Sequence, residues 1–283
     1  GGLYQQPPFY RELRDLQGQL HLNIPAQKSI HLLTGSDWQF KAWGRPFKFT
    51  TEIYYKFLND LIPYEIDNVR IRYLSDQTAK GFAEGIDFKI NGDFVEGLES
   101  WASLSIMKTM EDIKGDFYYK RFNSDGQLII PGYTTNNIAV DSMRIEPGYI
   151  PRPTDQRINF SLFFQDYLPN NPTYKVHLSL FYGSSLPFGP PESPQYLHTL
   201  RIPPYRRVDI GFSKQIIGEG AKYRPKGRLN YIKSLWVSAE IFNLFQISNT
   251  VSYIWISDVN NRQYAIPNYL TPRLINIKMI AKF

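Results

Sequence analysis

TPRLINIKMIAKF (271–283), the last stretch of the chain, decides its fold. Ile275, Ile277, Met279, Ala281 and Phe283 fall on one side of an extended backbone, and Leu274, Asn276, Lys278, Ile280 and Lys282 on the other. A helix would scatter the two sets around its axis. A strand, with its side-chain period of two, separates them.

The same period recurs upstream. In QRINFSLFFQD, Ile158, Phe160, Leu162 and Phe164 alternate with Arg157, Asn159, Ser161 and Gln165. In KVHLSLFYG, Val176, Leu178, Leu180 and Tyr182 alternate with His177 and Ser179. RRVDIGFSK sets Val208, Ile210 and Phe212 against Arg207, Asp209 and Ser213, and SLWVSAEIF sets Leu235, Val237, Ala239 and Ile241 against Trp236, Ser238 and Glu240. FKFTTEIYYKF (47–57), GIDFKI (85–90) and WASLSIM (101–107) behave alike, and HLLTGSDWQFKAW (31–43) does so in its second half. The spacing predicts about nine strands and no amphipathic helix. The connections alternate between short (43–47, 91–97, 169–174) and long (64–80, 114–154, 190–204, 246–270). Residues 218–233, GEGAKYRPKGRLNYIK, fall on the short side yet are long and basic.

Composition narrows the class. The chain has 283 residues, and its 32 Lys+Arg against 26 Asp+Glu leave a net charge of +6 with no basic block, so no nucleic-acid partner is expected. Cysteine is absent, which removes disulfides, thiolate nucleophiles and Cys-ligated zinc. Aromatics are plentiful, with 20 Tyr, 19 Phe and 5 Trp. No apolar run approaches the ~20 residues of a membrane helix, but a membrane barrel hides its apolar residues at every second position.

Alternation alone fits either a soluble β-sandwich or a transmembrane barrel. Three features favour the barrel. The stretch from Phe47 to Pro63 carries no turn signal, longer than the ~5–6 residues of a soluble strand. The polar faces mix small and charged residues, as a wet lumen tolerates. Aromatics gather near strand ends (Trp43, Phe47, Trp101, Tyr167), where interfacial girdles form. Charge facing lipid at the bilayer midplane costs ~2–4 kcal/mol. Lys278, Lys89 and Arg157 are therefore expected to face the lumen, and Ile277, Phe88, Ile158, Phe160, Leu178 and Val237 to face lipid.

Several segments together resemble the C-terminal barrel of TonB-dependent receptors of the Bacteroidetes type. They are WGRPFKFTTEIYYK (43–56), GIDFKINGDFVEGLESWASLSIM (85–107), PRPTDQRINFSLFFQDYLP (151–169), SSLPFGPP (184–191), YRRVDIGFSK (205–214), SAEIFNLF (238–245) and SYIWISDVNNRQYAIPNYLTPR (252–273). The resemblance implies an all-β fold in which residues 1–283 form the C-terminal portion of one outer-membrane barrel of about 22 strands. It implies active uptake of a large or scarce nutrient. It also implies partners: outer-membrane lipid, a plug and an N-terminal barrel half on the same or another chain, and the TonB complex reached through them. A surface lipoprotein lid or other outer-membrane proteins would complete the set. Neither plug nor TonB-binding segment is found in this sequence. Ile275, Ile277, Met279, Ala281 and Phe283 resemble the assembly signal of outer-membrane proteins. The same resemblance puts Phe283 in the periplasm. Counting back, a first strand from Lys28 to Trp43 descends from outside, Gly1–Ala26 is extracellular, and the first strand pairs with one absent from this sequence.

Catalytic constellations are not legible. His21, His31, His177 and His198 form no metal-binding pair, no GxSxG elbow or P-loop occurs, and Asp87 and Glu99 read as solvated carboxylates flanking a turn. No cofactor is expected. The loop 114–154 draws attention because a loop this long is uncommon without a task. Tyr118, Tyr119, Arg121, Tyr133 and Asn136 offer stacking faces and hydrogen bonds, and with Arg157 and Arg207 below them they are the candidate ligand-binding set. A structural lid or a partner-binding surface explains the same loop. Two functions from different classes remain: a nutrient importer, and a barrel component of a larger surface assembly. An enzyme is not expected.

Overall fold

The computed structural model describes residues 1–130, 133–168, 171–191, 193–218, 231–259 and 263–283. Its frame is an eleven-stranded antiparallel sheet. Side by side, in chain order, lie β1 (Gly2–Gln6), β2 (Gln27–Ala42), β3 (Arg45–Leu61), β4 (Ala79–Val95), β5 (Leu98–Ile113), β6 (Ile158–Leu168), β7 (Asn171–Gly183), β8 (Tyr205–Ile217), β9 (Ser234–Phe242) and β10 (Leu274–Lys282). Ile150–Pro151 adds a short pairing on β5. Every alternating segment of the sequence is one of these strands. β2 to β5 run 16 or 17 residues each, beyond the ~9–11 that cross a bilayer. At the β2–β3 turn Trp43 and Gly44 both take positive φ (52° and 74°), the pair of left-handed residues that a tight hairpin of correct twist demands.

Register carries one apolar face across the sheet. Trp38 faces Phe49, Phe49 faces Ile90, Ile90 faces Ala102 and Ala102 faces Leu162. Leu162 faces Leu180, Leu180 faces Val208, Phe212 faces Ala239 and Ala239 faces Ile277. Burial is the reverse of a water-soluble sheet. Ile275, Ile277 and Met279 are 69%, 76% and 70% exposed, whereas Asp209 and Glu240 on the opposite face are 6% exposed. A sandwich must cover its apolar face. Here that face is bare, and hydrocarbon is the solvent it suits.

Aromatic rings border the face at both ends. Toward the short turns Trp38, Phe40, Phe47, Phe94 and Phe164 form a chain of neighbouring rings 4.9–6.4 Å apart. Toward the long connections Tyr55, Phe57, Phe82 and Tyr149 do the same. Phe47 to Phe57 along β3 spans about 26 Å at ~3.4 Å per residue and ~40° tilt, close to the ~25 Å apolar band of membrane barrels. Trp101 and Tyr167, expected in the girdles, are not there. Trp101 pairs with Phe163 and Tyr167 with Lys175, so the strand parity places both on the polar face.

Two other expectations change. The sheet begins earlier than Lys28. Gly2–Gln6 pairs with Gln27–His31, so part of the partner expected outside this sequence lies within it. Five residues led by Gly carry too little alternation to be read as a strand. The intervening stretch turns back beside the long connections, where Ser75 Oγ donates to the Glu12 carbonyl at 2.7 Å. Among the described residues the outer edge of β2 from Leu32 to Ala42 and the outer edge of β10 have no strand partner, and the sheet is open. Asp87 is also not beside a turn. It sits within β4, opposite Ser105, whose hydroxyl donates to it. The long connections are not plain loops: they contain the hairpins Tyr64–Asp67/Arg70–Tyr73, Tyr118–Phe122/Asp141–Ile145 and Thr250–Ser257/Gln263–Tyr269. Most of the basic turn 218–233 lies outside the described residues.

Candidate functional site

The polar groups converge where the strands meet the long connections. Pro151 and Pro153 lack an N–H, and the segment leading into β6 leaves the β5 ladder there. Ile150 and Pro151 pair with Glu111 and Met110, and Met107 N–H donates to the Arg157 carbonyl at 3.0 Å. In the gap between them the Asp155 carboxylate takes the Thr109 N–H at 3.0 Å, standing in for a backbone carbonyl. The same carboxylate accepts from Arg157 Nε at 2.8 Å and Arg201 Nη2 at 2.9 Å, and it is fully buried. Arg201 Nη1 also donates to the carbonyls of Asp155 and Ser185. One carboxylate thus ties β5, the entry to β6 and the 184–201 connection together. Beside it buried Glu111 accepts from Arg152 Nε at 3.0 Å.

The next strands repeat the device. Arg207 and Asp209 lie two apart on β8, hence on one face, and meet at 2.7 Å. Asp209 also takes the Asn243 N–H at 2.8 Å, which holds the chain where it leaves β9 in a left-handed conformation. Further along the polar face Glu240 accepts from Asn276 at 2.9 Å and Lys278 at 2.8 Å, while His177 approaches within 3.9 Å. A Cβ on Gly211 would overlap the His177 ring, so glycine is what lets the imidazole lie across β8. Lys89 and Lys175 lie over the rings of Trp101 and Trp236 at 6.0 and 5.4 Å, within cation–π range.

The candidate ligand residues are not brought together as one set. Tyr118 stacks on Tyr196 at 4.5 Å, joining the hairpin to the 184–201 connection. Tyr119 and Arg121 are exposed on that hairpin, and Tyr133 is 88% exposed. Asn136 shapes the loop: its carbonyl takes a bond from Asn123, and its side chain contacts Ser124 and the Ile138 N–H. Arg157 and Arg207 are each engaged by a carboxylate, so neither is an open cation. Sequence reading missed Asp155, Arg201, Glu111 and Arg152. A signal existed for the first, since an acidic residue two before Arg157 shares its side of an extended chain.

No family model matches the chain, and no curated protein matches it. Among solved structures it is similar to the crystal structure of the ferric-catecholate import receptor Fiu from E. coli K12 in its closed form, with a TM-score of 0.56 at 14% identity. The superposition covers 98% of this chain and 31% of that one. The chain has the fold of a segment of a receptor β-barrel. It spans about a third of that receptor's length, and at this identity the likeness carries no ligand or functional residue across. It agrees with what the register shows independently: an open antiparallel sheet, apolar on one face and polar on the other, as a barrel wall must be.

Proposed function

We propose that this chain forms the C-terminal wall of an outer-membrane, TonB-dependent importer of the Bacteroidetes type that takes up a large or scarce nutrient. The observation that carries the reading is the inverted sheet, with a bare apolar face between aromatic girdles and buried ion pairs on the other side. The barrel of an import receptor has the same fold over nearly the whole chain. In this reading a plug and an N-terminal barrel half, on the same or another polypeptide, complete the wall from the open edges at β2 and β10 and connect it to TonB. The long connections face outside, where a lipoprotein lid would close over them.

Uptake measurement tests the reading. Tyr118 and Ile145 face each other at the hairpin base, so residues 119–144 can be replaced by a short turn without reaching the sheet. The expected result is loss of nutrient-dependent growth with the barrel still in the outer membrane. Unchanged growth on the nutrient would assign this hairpin to architecture.

The terminal strand gives a second expectation. Ile275, Ile277, Met279 and Ala281 present an apolar edge opposite Ile241, Ala239, Val237 and Leu235, and Phe283 follows, 75% exposed. Deletion of Phe283 removes the last side chain of this row. Outer-membrane levels should fall several-fold at equal synthesis, measured by quantitative blotting of fractionated cells. Equal levels would remove the assembly role from this residue.

A specific observation favours the alternative function, a member of a larger surface assembly. The hairpin beyond the apolar band exposes Ile254, Ile256, Tyr264 and Ile266 on one side. Co-purification of stable outer-membrane partners, together with growth that is indifferent to the loss of the protein, would favour it over import.

A further inference from the structure

Four connecting segments beside the ends of β3 to β5 line a half-open pocket of about 390 Å³, within the usual size of small-molecule sites. Its lining includes Glu65, Gln77, Asp116, Phe117, Gln195 and Tyr196. Two of these groups are unusual. Gln195 is 9% exposed, and its Nε2 has no hydrogen-bond partner. A buried amide donor without an acceptor is rare in folded proteins, and it asks for an oxygen from elsewhere. Asp116 is half-buried and makes no ion pair among the described residues. Burial pushes its carboxyl above the ordinary range, and the carboxylates of Asp112 and Glu146 push in the same direction. A cation at Asp116 would relieve both.

The surroundings say which kind of cation. Among the described residues no group of three or more His, Asp or Glu side chains is placed to hold a metal ion. The lining instead pairs one carboxylate that has no ion-pair partner among the described residues and one unpartnered amide N–H with aromatic walls: Tyr196, backed by Tyr118 at 4.5 Å, and Phe117, whose ring already attracts the Arg144 guanidinium at 4.2 Å. A ligand that satisfies both groups carries positive charge and an acceptor oxygen.

We propose that this cavity binds a primary ammonium with a neighbouring carbonyl or carboxylate oxygen, Asp116 receiving the ammonium and Gln195 Nε2 donating to the oxygen. Free amino acids and the amino end of a peptide share this chemistry. The proposal deepens the import reading by naming a ligand class and rests on it only for the ligand's fate after binding.

The test is calorimetric titration of the full-length receptor in detergent with L-alanine, L-alanyl-L-alanine and N-acetyl-L-alanyl-L-alanine. Saturable binding of at least one free-amine probe is expected, with N-acetylation weakening the dipeptide at least about tenfold, because it removes the charge opposite Asp116. Equal affinity of the two free-amine probes indicates a free amino acid as the ligand, and a tighter dipeptide indicates a peptide end. Asp116→Asn should weaken binding about tenfold and Gln195→Leu about threefold or more. The N-acetylated probe needs no variant, so the result survives a misfolded mutant. No saturable binding, equal binding of the N-acetylated dipeptide, or folded variants that bind as the parent does would overturn the proposal. Binding is read without transport, so such a failure leaves the import reading standing. Intact binding with no uptake in cells would instead count against import.

Discussion

Replacement of Asp155 by Ala should cost about 3–5 kcal/mol, the penalty for removing one partner from a buried ionic cluster. The side chain is fully buried and serves three donors: Arg157 Nε, Arg201 Nη2 and the Thr109 N–H. Alanine leaves two guanidinium groups without their carboxylate and an N–H without an acceptor. Water can reach the half-exposed Arg157 and repay part of that cost, but the Thr109 N–H is buried and gains nothing. Asp155→Asn should lie between, since its amide oxygen can still accept from Thr109 or one arginine without the charge. The midpoint of urea unfolding, followed by the heat-modifiable mobility of the folded barrel, would show the difference. Damage should begin at the entry to β6 and in the 184–201 connection, so limited proteolysis should nick there before the sheet opens. An Asp155→Ala protein as stable and as resistant as the parent would show that the cluster holds nothing in place.

Asp155 also marks the limit of what alternation reveals. The strands were legible because a period of two is a property of neighbouring residues, and β2 to β10 each repeat it over several turns of the pleat. Which face is apolar follows from the same arithmetic, and the register confirms it from Trp38 to Ile277. Features that depend on distant partners were not legible. Asp155, Arg201 and Thr109 are far apart in sequence and meet only because the chain entering β6 leaves the β5 ladder between Arg152 and Arg157. Gly2–Gln6 was missed because a short strand has no period to display, and the hairpins inside the long connections for a related reason: most of their residues are exposed on both sides. Trp101 and Tyr167 lie near strand ends, but closeness to an end does not fix a face, and parity puts both on the polar side. The seven candidate ligand residues were grouped by composition, and composition does not say that Arg157 and Arg207 are already paired or that Asn136 is spent on its own loop.

A second large effect separates two adjacent residues. Ile277→Lys and Asn276→Lys place the same side chain at neighbouring positions of β10, yet the strand sends them to opposite faces. Ile277 is 76% exposed and lies opposite Ala239 on the apolar face, within the row that runs back to Phe212 and Val208. If that face meets lipid, a lysine there costs ~2–4 kcal/mol near the bilayer midplane, and little remains to offset it because the nearest neighbours are apolar. Asn276 lies opposite Glu240, which already binds Lys278 and is only 6% exposed. A lysine at 276 gains that carboxylate as a partner and faces the polar side, so its net cost should be small. The Ile277→Lys protein should therefore accumulate unfolded or be degraded before insertion, at levels several-fold below the parent, while Asn276→Lys inserts almost normally. Fractionation and heat-modifiable mobility measure both in one experiment. Equal insertion of the two would contradict the facing of the sheet and, with it, the reading of the apolar face as a membrane surface. The reverse order would mean that the face carrying Asn276, not the one carrying Ile277, is removed from water.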